Sequence, residues 1–416
     1  MQTESLSTPS ISLGTPKPDY EVADVFRLYG QDYRRTYPLT HEQWEVMWDI
    51  EHCRTAALGG HVDECDRCGV LRISYNSCRN RHCPKCQALA KARWIEARRA
   101  ELLPIEYFHG VFTTDHAINV LVGWNRALIY TLIFAAVAES LKAFGLAYLG
   151  GEIGVVVVLH TWGQGLEQHI HVHCIITGGA LSPDGQHWQA CPKGFLFPVE
   201  LLSATFRDRL CEGLRRAYGE GKLSFGGQCA ELADAARFEA WLGAMQAKNW
   251  EVYLKEPFGG PEGVLDYLGG YVQRVAISNR RIVGIENGQV SFTWRDNRNG
   301  GILKVMTLTA DEFIRRFLLH VLPKGFVRIR YFGLLSSHGR AAKLQRCREL
   351  LGADAPPPPA KESYDRLLER LTGVDVKQCP VCGVGRMIHK QTLGPGWDEA
   401  ELERMGKRIA VGQVVA

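Results

Sequence analysis

The sequence predicts an α+β fold preceded by a metal-binding module, on three observations. Two short β-branched runs, Val155–Leu159 and His169–His173, flank a polar turn containing Gly163 and Gly165, as neighbouring antiparallel strands would. Patterns of helical length surround them, at 118–144, 198–219 and 234–248. Six cysteines fall between Cys53 and Cys86 in closely spaced pairs, which suits metal ligation rather than a disulfide framework.

Taken in order, residues 1–18 are rich in Ser, Thr and Pro and are expected to be disordered, with no apolar segment of the kind a signal peptide needs. From Asp19 to Glu51 the pattern is helical, and Thr40 with Gln43 forms a capping box ahead of Trp44, Met47 and Trp48. Cys65-x-x-Cys68 and Cys83-x-x-Cys86 have knuckle spacing and are expected to close one tetrahedral zinc site. Cys53, His61, Cys78 and His82 would form a second, with His52 as a substitute ligand. Saturated sites of this kind are structural, and so little large apolar side chain is present that the segment needs its metal to fold.

Beyond the module, Lys91–Leu103 reads as a basic helix and Tyr107–Thr113 as a strand. The helix at 118–144 should bury Leu121, Trp124, Leu128 and Leu132. Pro183-Asp184-Gly185 marks a turn. A proline run at 356–359 opens the tail, where Cys379 and Cys382 form half a zinc knuckle with His389 and Cys347 as candidate partners. The expected division is therefore 1–18 tail, 19–103 helical and zinc-binding, 104–352 central domain, and 353–416 linker and tail.

A net charge of +4 does not announce a nucleic-acid binder, but its distribution does. Eight Lys or Arg face one acid between Arg72 and Arg99, and seven face none between His320 and Arg348. Tyr75, Trp94, Phe326 and Tyr331 are interleaved with them, the combination that tracks phosphates and stacks bases. The longest helical apolar stretch, Ala127–Ala138, falls short of the roughly 20 residues of a membrane span. A soluble chain in a reducing cytoplasm is expected, with no membrane partner.

Side chains alternate along a strand, so His169, His171 and His173 share one face while Ile170, Val172 and Cys174 enter a core. One strand histidine is commonly structural; three at period two on one face call for a metal or an anion. A second constellation is Tyr267-Leu268-Gly269-Gly270-Tyr271, where four-residue spacing puts both phenols on one side of a helix. Arg274, Arg280 and Arg281 follow, placed to hold phosphates. A phenol with a reference pKa of about 10 is a poor nucleophile at neutral pH. A divalent cation on His171 and His173 could polarise a phosphodiester while Tyr271 attacks, leaving a phosphotyrosine and a free 3′ hydroxyl.

Together these motifs resemble the two-tyrosine HUH transposases of rolling-circle insertion sequences. The resemblance covers most of the chain. It rests on Cys53-Arg54-Thr55, the run from Tyr75 to Cys86, the His-x-His strand, Tyr267-x-x-x-Tyr271 continuing to Arg280, and Arg315 to Phe326. It implies an HUH nuclease core, an antiparallel sheet with flanking helices; the C-terminal region is expected to be mainly helical. It also implies binding of element ends and target as single-stranded DNA, with nicking and rejoining by Tyr271 and Tyr267. His171 and His173 match the metal pair. For a third ligand His169, Glu167, Gln164 and Gln273 are all candidates, with His169 preferred because it shares the face. The chain departs from the pattern at Gly270 and Gln273, where relatives often carry a larger residue and His.

The implied cofactors are Zn2+ at one or two structural sites and Mg2+ or Mn2+ at the catalytic one. The residues expected to meet DNA are Arg79, Arg81, Lys85, Arg274, Arg280, Arg281 and Lys324. No Gly-x-x-x-x-Gly-Lys-[Ser/Thr] motif is present, since Gly221-Lys222 is followed by Leu223, so strand separation would fall to host replication or helicase machinery. A bacterial, nucleoid-associated protein is expected. The alternatives are a replication-initiator nickase of the same chemistry and a non-catalytic zinc-dependent DNA-binding regulator.

Overall fold

The computed structural model describes residues 18–255, 263, 275–296, 299–354, 362–397 and 409–410. Helices alternate with sheets that are antiparallel except for one short parallel pairing, Ile409–Ala410 with Leu71–Arg72, as expected of an α+β chain. In chain order come α1 (Val22–Thr36), α2 (His41–His52), β1 (Gly60–Cys65), β2 (Leu71–Tyr75), α3 (Gln87–Arg99), β3 (Tyr107–Thr113), α4 (Asn119–Leu149), β4 (Glu152–Trp162), β5 (Gln168–Leu181) and β6 (Trp188–Ala190). There follow α5 (Val199–Gly219), α6 (Ala235–Gln246), β7 (Val252–Lys255), β8 (Ile282–Glu286), β9 (Gln289–Asp296), β10 (Ile302–Thr309), α7 (Ala310–Leu319), β11 (Ile329–Gly333), α8 (Arg340–Leu351), α9 (Tyr364–Thr372), β12 (Met387–Leu393) and β13 (Ile409–Ala410).

The chain divides into two compact units, and the division differs from the contiguous one expected. One unit takes 1–94, 273–321 and 359–416; the other takes 95–272 and 322–358. Residues 273–321, expected in the central domain, join the first unit for visible reasons. Phe317 meets Phe26 edge-on at 5.3 Å, Asn279 Oδ1 accepts from the Val22 amide, and Gln43 Nε2 donates to the Leu318 carbonyl. The tail joins it too, because β12 pairs antiparallel with β1 in a sheet ordered β12-β1-β2-β13. The C-terminal region is thus strand as well as helix. The same unit holds a three-stranded meander, β10-β9-β8.

The second unit is built on a six-stranded antiparallel sheet, β11-β4-β5-β3-β7 with β6 added beside β5. Alternation gives this sheet one oily face. Phe108, Phe112, Val155, Val157, Leu159, Val172, Cys174 and Ile176 are buried there, in one core with Ile129, Ile133 and Val137 of α4 and Phe206 and Leu210 of α5. Each such aliphatic or aromatic side chain contributes roughly 1.5–3 kcal/mol on burial.

Two expectations about α4 need correction. Its apolar run is longer than the 127–138 stretch: with the turn ahead of it, 116–149 is long and apolar enough to cross a membrane by length and composition. Its buried face instead forms the core of this unit. Trp124, expected inside, is 58% exposed. The helix is broken at Asn125 (φ −129°, ψ 28°), whose amide donates to the Leu121 and Ser224 carbonyls and accepts from the Ser224 amide at 2.7 Å. That insertion breaks the regular helical geometry next to Trp124, whose ring lies against Gly226, where a Cβ would come within 2.4 Å of it, while Leu121 and Val122 of the same turn stay in the core.

Candidate metal centres

The hairpin of β4 and β5 sets the first centre. Its register places His160 opposite His171 and Val158 opposite His173, and directly opposed residues project from the same face. His160, His171 and His173 each offer a ring nitrogen, all within 4.8 Å of one another. Trp162 stacks on His160 at 4.6 Å and limits its rotation. His160 is the third imidazole, and sequence reasoning missed it. The valine run read as ending at Leu159 continues one residue into His160, and continuing the antiparallel pairing outward from the Gly163–Glu167 turn would have found it.

The orientation of the imidazoles follows from what their other nitrogens do. His171 Nδ1 lies 2.9 Å from the His169 carbonyl, which can only accept, so Nδ1 carries the proton and Nε2 keeps its lone pair. His173 Nδ1 lies 2.9 Å from Nε2 of His109, a β3 residue that sequence reasoning also passed over. Burial, assisted by the charge of Lys255, lowers the His109 pKa to about 4, so its ring is neutral and able to accept at neutral pH.

His169 shares the strand face, as expected, but is outside the mutually close group. Its Nδ1 lies 3.4 Å from His116 Nε2, and burial, then the neighbouring His116, lowers its pKa. Glu167, another candidate third ligand, accepts from the Gly165 amide at 2.8 Å within the turn. Tyr267, Gly270, Tyr271, Gln273 and Arg274 lie outside the described residues. Of the basic residues expected to meet DNA, Arg79, Arg280 and Lys324 are exposed, and Arg81 is partly so. Lys85 is instead tied to Glu21 in a largely buried ion pair at 2.8 Å. Arg281 donates to the Thr293 carbonyl and lies over the Phe292 ring, which makes it a brace for the meander.

The cysteines form two groups, and the expected grouping is corrected. Cys53, Cys78, Cys83 and Cys86 converge in one, and Cys65, Cys68, Cys379 and Cys382 in the other. The pair 65/68 therefore does not share a site with 83/86. His61 and His82 belong to neither group: His61 sits beside Asp63 at 3.6 Å, and the His82 amide donates to Asn80. His52 donates to the Trp48 carbonyl and stacks on that indole. Of the candidate partners for the tail knuckle, His389 faces Asp63 from β12, and Cys347 is buried in the other unit, its thiol pushed up to about 11 by burial.

Cys53 caps the C-terminus of α2, whose start is fixed by the Thr40/Gln43 capping box. Arg54 and Arg79, the residues directly after Cys53 and Cys78, have φ of 60° and 56°, a left-handed conformation that non-glycine residues adopt at a cost. Sulfurs of Cys53 and Cys78 stand 3.5 and 3.7 Å from Cys86. Four thiols this close cannot all keep independent protons. Hydrogen bonds from Cys78 and then Cys83 lower the Cys53 pKa to about 7, while Cys78 and Cys83 are pushed up. A cation resolves this competition by taking all four as thiolates.

Comparisons with known proteins agree with both halves of this picture. A family described as "Transposase zinc-binding domain" matches residues 25–114, and one described as "Putative transposase" matches 154–343, which contains the histidine hairpin. The chain is 52% identical over 374 residues to "Putative transposase y4qJ" of Sinorhizobium fredii (strain NBRC 101917 / NGR234), covering 88% of this chain and 94% of that protein. It is 28% identical over 356 residues to the "Transposase for insertion sequence element IS801" of Pseudomonas savastanoi pv. phaseolicola, covering 84% and 83%. No solved structure matches. Cysteine groups of zinc type, a sheet-borne imidazole cluster and this breadth of similarity have one reading: the chain belongs to the IS91/IS801 family of transposases, zinc-binding proteins that act on DNA.

Proposed function

We propose that the chain nicks and rejoins single-stranded DNA at the ends of its insertion sequence through a 5′-phosphotyrosine linkage. The observation that carries this reading is the convergence of His160, His171 and His173 on one face of a sheet whose other face is packed core. These imidazoles would hold a divalent cation, which when bound supplies Lewis acidity toward a phosphodiester oxygen. An all-nitrogen donor set suits Mn2+ better than the harder Mg2+, which prefers oxygen.

The phenol oxygen of Tyr271 attacks phosphorus, its new O–P bond forming as the bond to the 3′ oxygen breaks. The phenol proton ends on the departing 3′ hydroxyl. Because that hydroxyl can reverse the step on another phosphotyrosine, no external energy source is needed, and Tyr267 serves the second strand. Arg79, Arg81, Arg274, Arg280 and Lys324 are assigned to the DNA backbone, and host replication or helicase machinery to strand separation.

His109 acts behind the metal ligands by accepting the His173 Nδ1 proton, which aims the Nε2 lone pair at the cation. His109→Phe is expected to weaken Mn2+ binding about 10- to 100-fold in calorimetry, the usual effect of losing such a partner. His109→Gln, whose carbonyl can accept, should recover part of the loss. Unchanged affinity in the Phe variant removes His109 from this role.

The deciding experiment incubates the protein with single-stranded DNA from either element end and Mn2+. A denaturant-resistant protein–DNA adduct is expected, and it should vanish when Tyr267→Phe and Tyr271→Phe are combined. Persistence of the adduct in the double variant rules out the tyrosine chemistry. DNA binding without any adduct in the unmodified protein favours the zinc-dependent regulator.

A further inference from the structure

We propose that Cys65, Cys68, Cys379 and Cys382 hold a second structural zinc, one that clasps the C-terminal segment onto the N-terminal zinc module and is the more readily lost of the two. The segment carrying Cys379 and Cys382 lies beyond both stretches matched by the family models, which end at 114 and 343.

The two halves of the site are built alike. Each is a Cys-x-x-Cys-Gly turn, Cys65-Asp66-Arg67-Cys68-Gly69 and Cys379-Pro380-Val381-Cys382-Gly383. In each, the glycine amide donates to the first cysteine's carbonyl at 3.0 Å, and the glycine takes a left-handed φ, 68° and 67°. In each, backbone amides also donate to sulfur: Arg67 and Cys68 to Cys65, and Gly385 to Cys382. These bonds favour thiolate over thiol.

The spacing across the halves fits zinc. Thiolates about 2.3 Å from a tetrahedral ion stand about 3.8 Å apart. Cys65 to Cys382 and Cys68 to Cys379 are both 3.7 Å, and none of the four is in a disulfide.

The surrounding sheet needs such a tie. Its apolar core consists of Val62, Leu71 and Leu393, with Val70 and Met387 beside the cysteines. Around the site, Asp66 and Arg386 exchange backbone and carboxylate hydrogen bonds, and Arg72 donates to the Val376 carbonyl at 2.7 Å. A core this small does not hold two segments more than 300 residues apart by burial alone. Zinc thiolate bonds supply the difference.

The two sites also differ in access. Cys53 and Cys83 are fully buried, and their partners are half-buried. In the second site Cys65 and Cys379 are equally buried and Cys382 half-buried, and the difference lies in Cys68, which is exposed. A chelator therefore reaches the second ion first.

The test counts thiolate-bound zinc in the full chain by mercurial-triggered release. Two equivalents are expected. The double variants C65S/C68S and C379S/C382S should each lose one, and combining all four substitutions should lose no more than one. Cys382→His, which keeps four donors, should retain both ions and thereby separate ligation from misfolding. Limited chelation should remove one equivalent, with amide exchange rising across Met387–Leu393 while α2 stays protected. Two equivalents retained in C379S/C382S would overturn the site. Exchange rising first across α2 would overturn the order of loss.

Discussion

Replacing His160 with alanine is expected to cut Mn2+ affinity and adduct yield as deeply as His171→Ala, by at least about 100-fold, since losing a proposed ligand should exceed the 10- to 100-fold typical of a supporting residue. His169→Ala is expected to change either quantity by less than about threefold, well under that supporting-residue range. The asymmetry follows from register. His160 lies directly across from His171, whereas His169 sits at the mouth of the turn with its ring nitrogen toward His116. Calorimetry and a metal titration of adduct formation measure both. Collapse on losing His169 with His160 dispensable would place the cation toward the turn and break the proposed ligand set.

Removing zinc from the Cys53, Cys78, Cys83 and Cys86 group is expected to unfold the first unit. Structural zinc contributes on the order of 10 kcal/mol in small modules, comparable to the whole net stability of a typical domain. Three local features adjoin its cysteines: the C-terminal end of α2 at Cys53, the strained Arg54 and the strained Arg79. Cys83→Ala leaves three thiolates around a buried charge and should abolish the cooperative melting transition of this unit. The helical signal of α4 and α5, packed in the other core, should survive. Circular dichroism with parallel zinc analysis reads both. A cooperative transition for this unit in the zinc-free variant would show that its apolar contacts suffice.

Local patterns were legible in the sequence wherever local physics decides. Tyr107–Thr113 is the strand expected, the helices at 198–219 and 234–248 form within a residue or two, and Thr40 with Gln43 makes the capping box. The three-stranded meander was passed over although its turn carries a strong local signal. Asn287 and Gly288 both have positive φ, 49° and 74°, the two-residue hairpin turn that Asn-Gly favours.

Long-range pairing was not legible. The spacing near Cys65 and Cys68 does not indicate that Cys379 and Cys382 complete them rather than Cys83 and Cys86, because all three pairs share it; the one local sign is the glycine that follows Cys68 and Cys382 where Gln87 follows Cys86. Trp124 fits the helical pattern of a core residue, and only the bonds between Asn125 and Ser224 turn it outward.

The pairing of β1 with β12 bears on how the protein is made. A ribosome delivers β1 early and Met387–Leu393 more than 300 residues later, which at about 5–20 residues per second is at least about 15 s. Throughout that interval β1 has one side without its neighbour, and Cys65 and Cys68 lack the two cysteines they converge with in the folded chain. Nascent chains halted before residue 379 should thus be the species that chaperones and free zinc compete for.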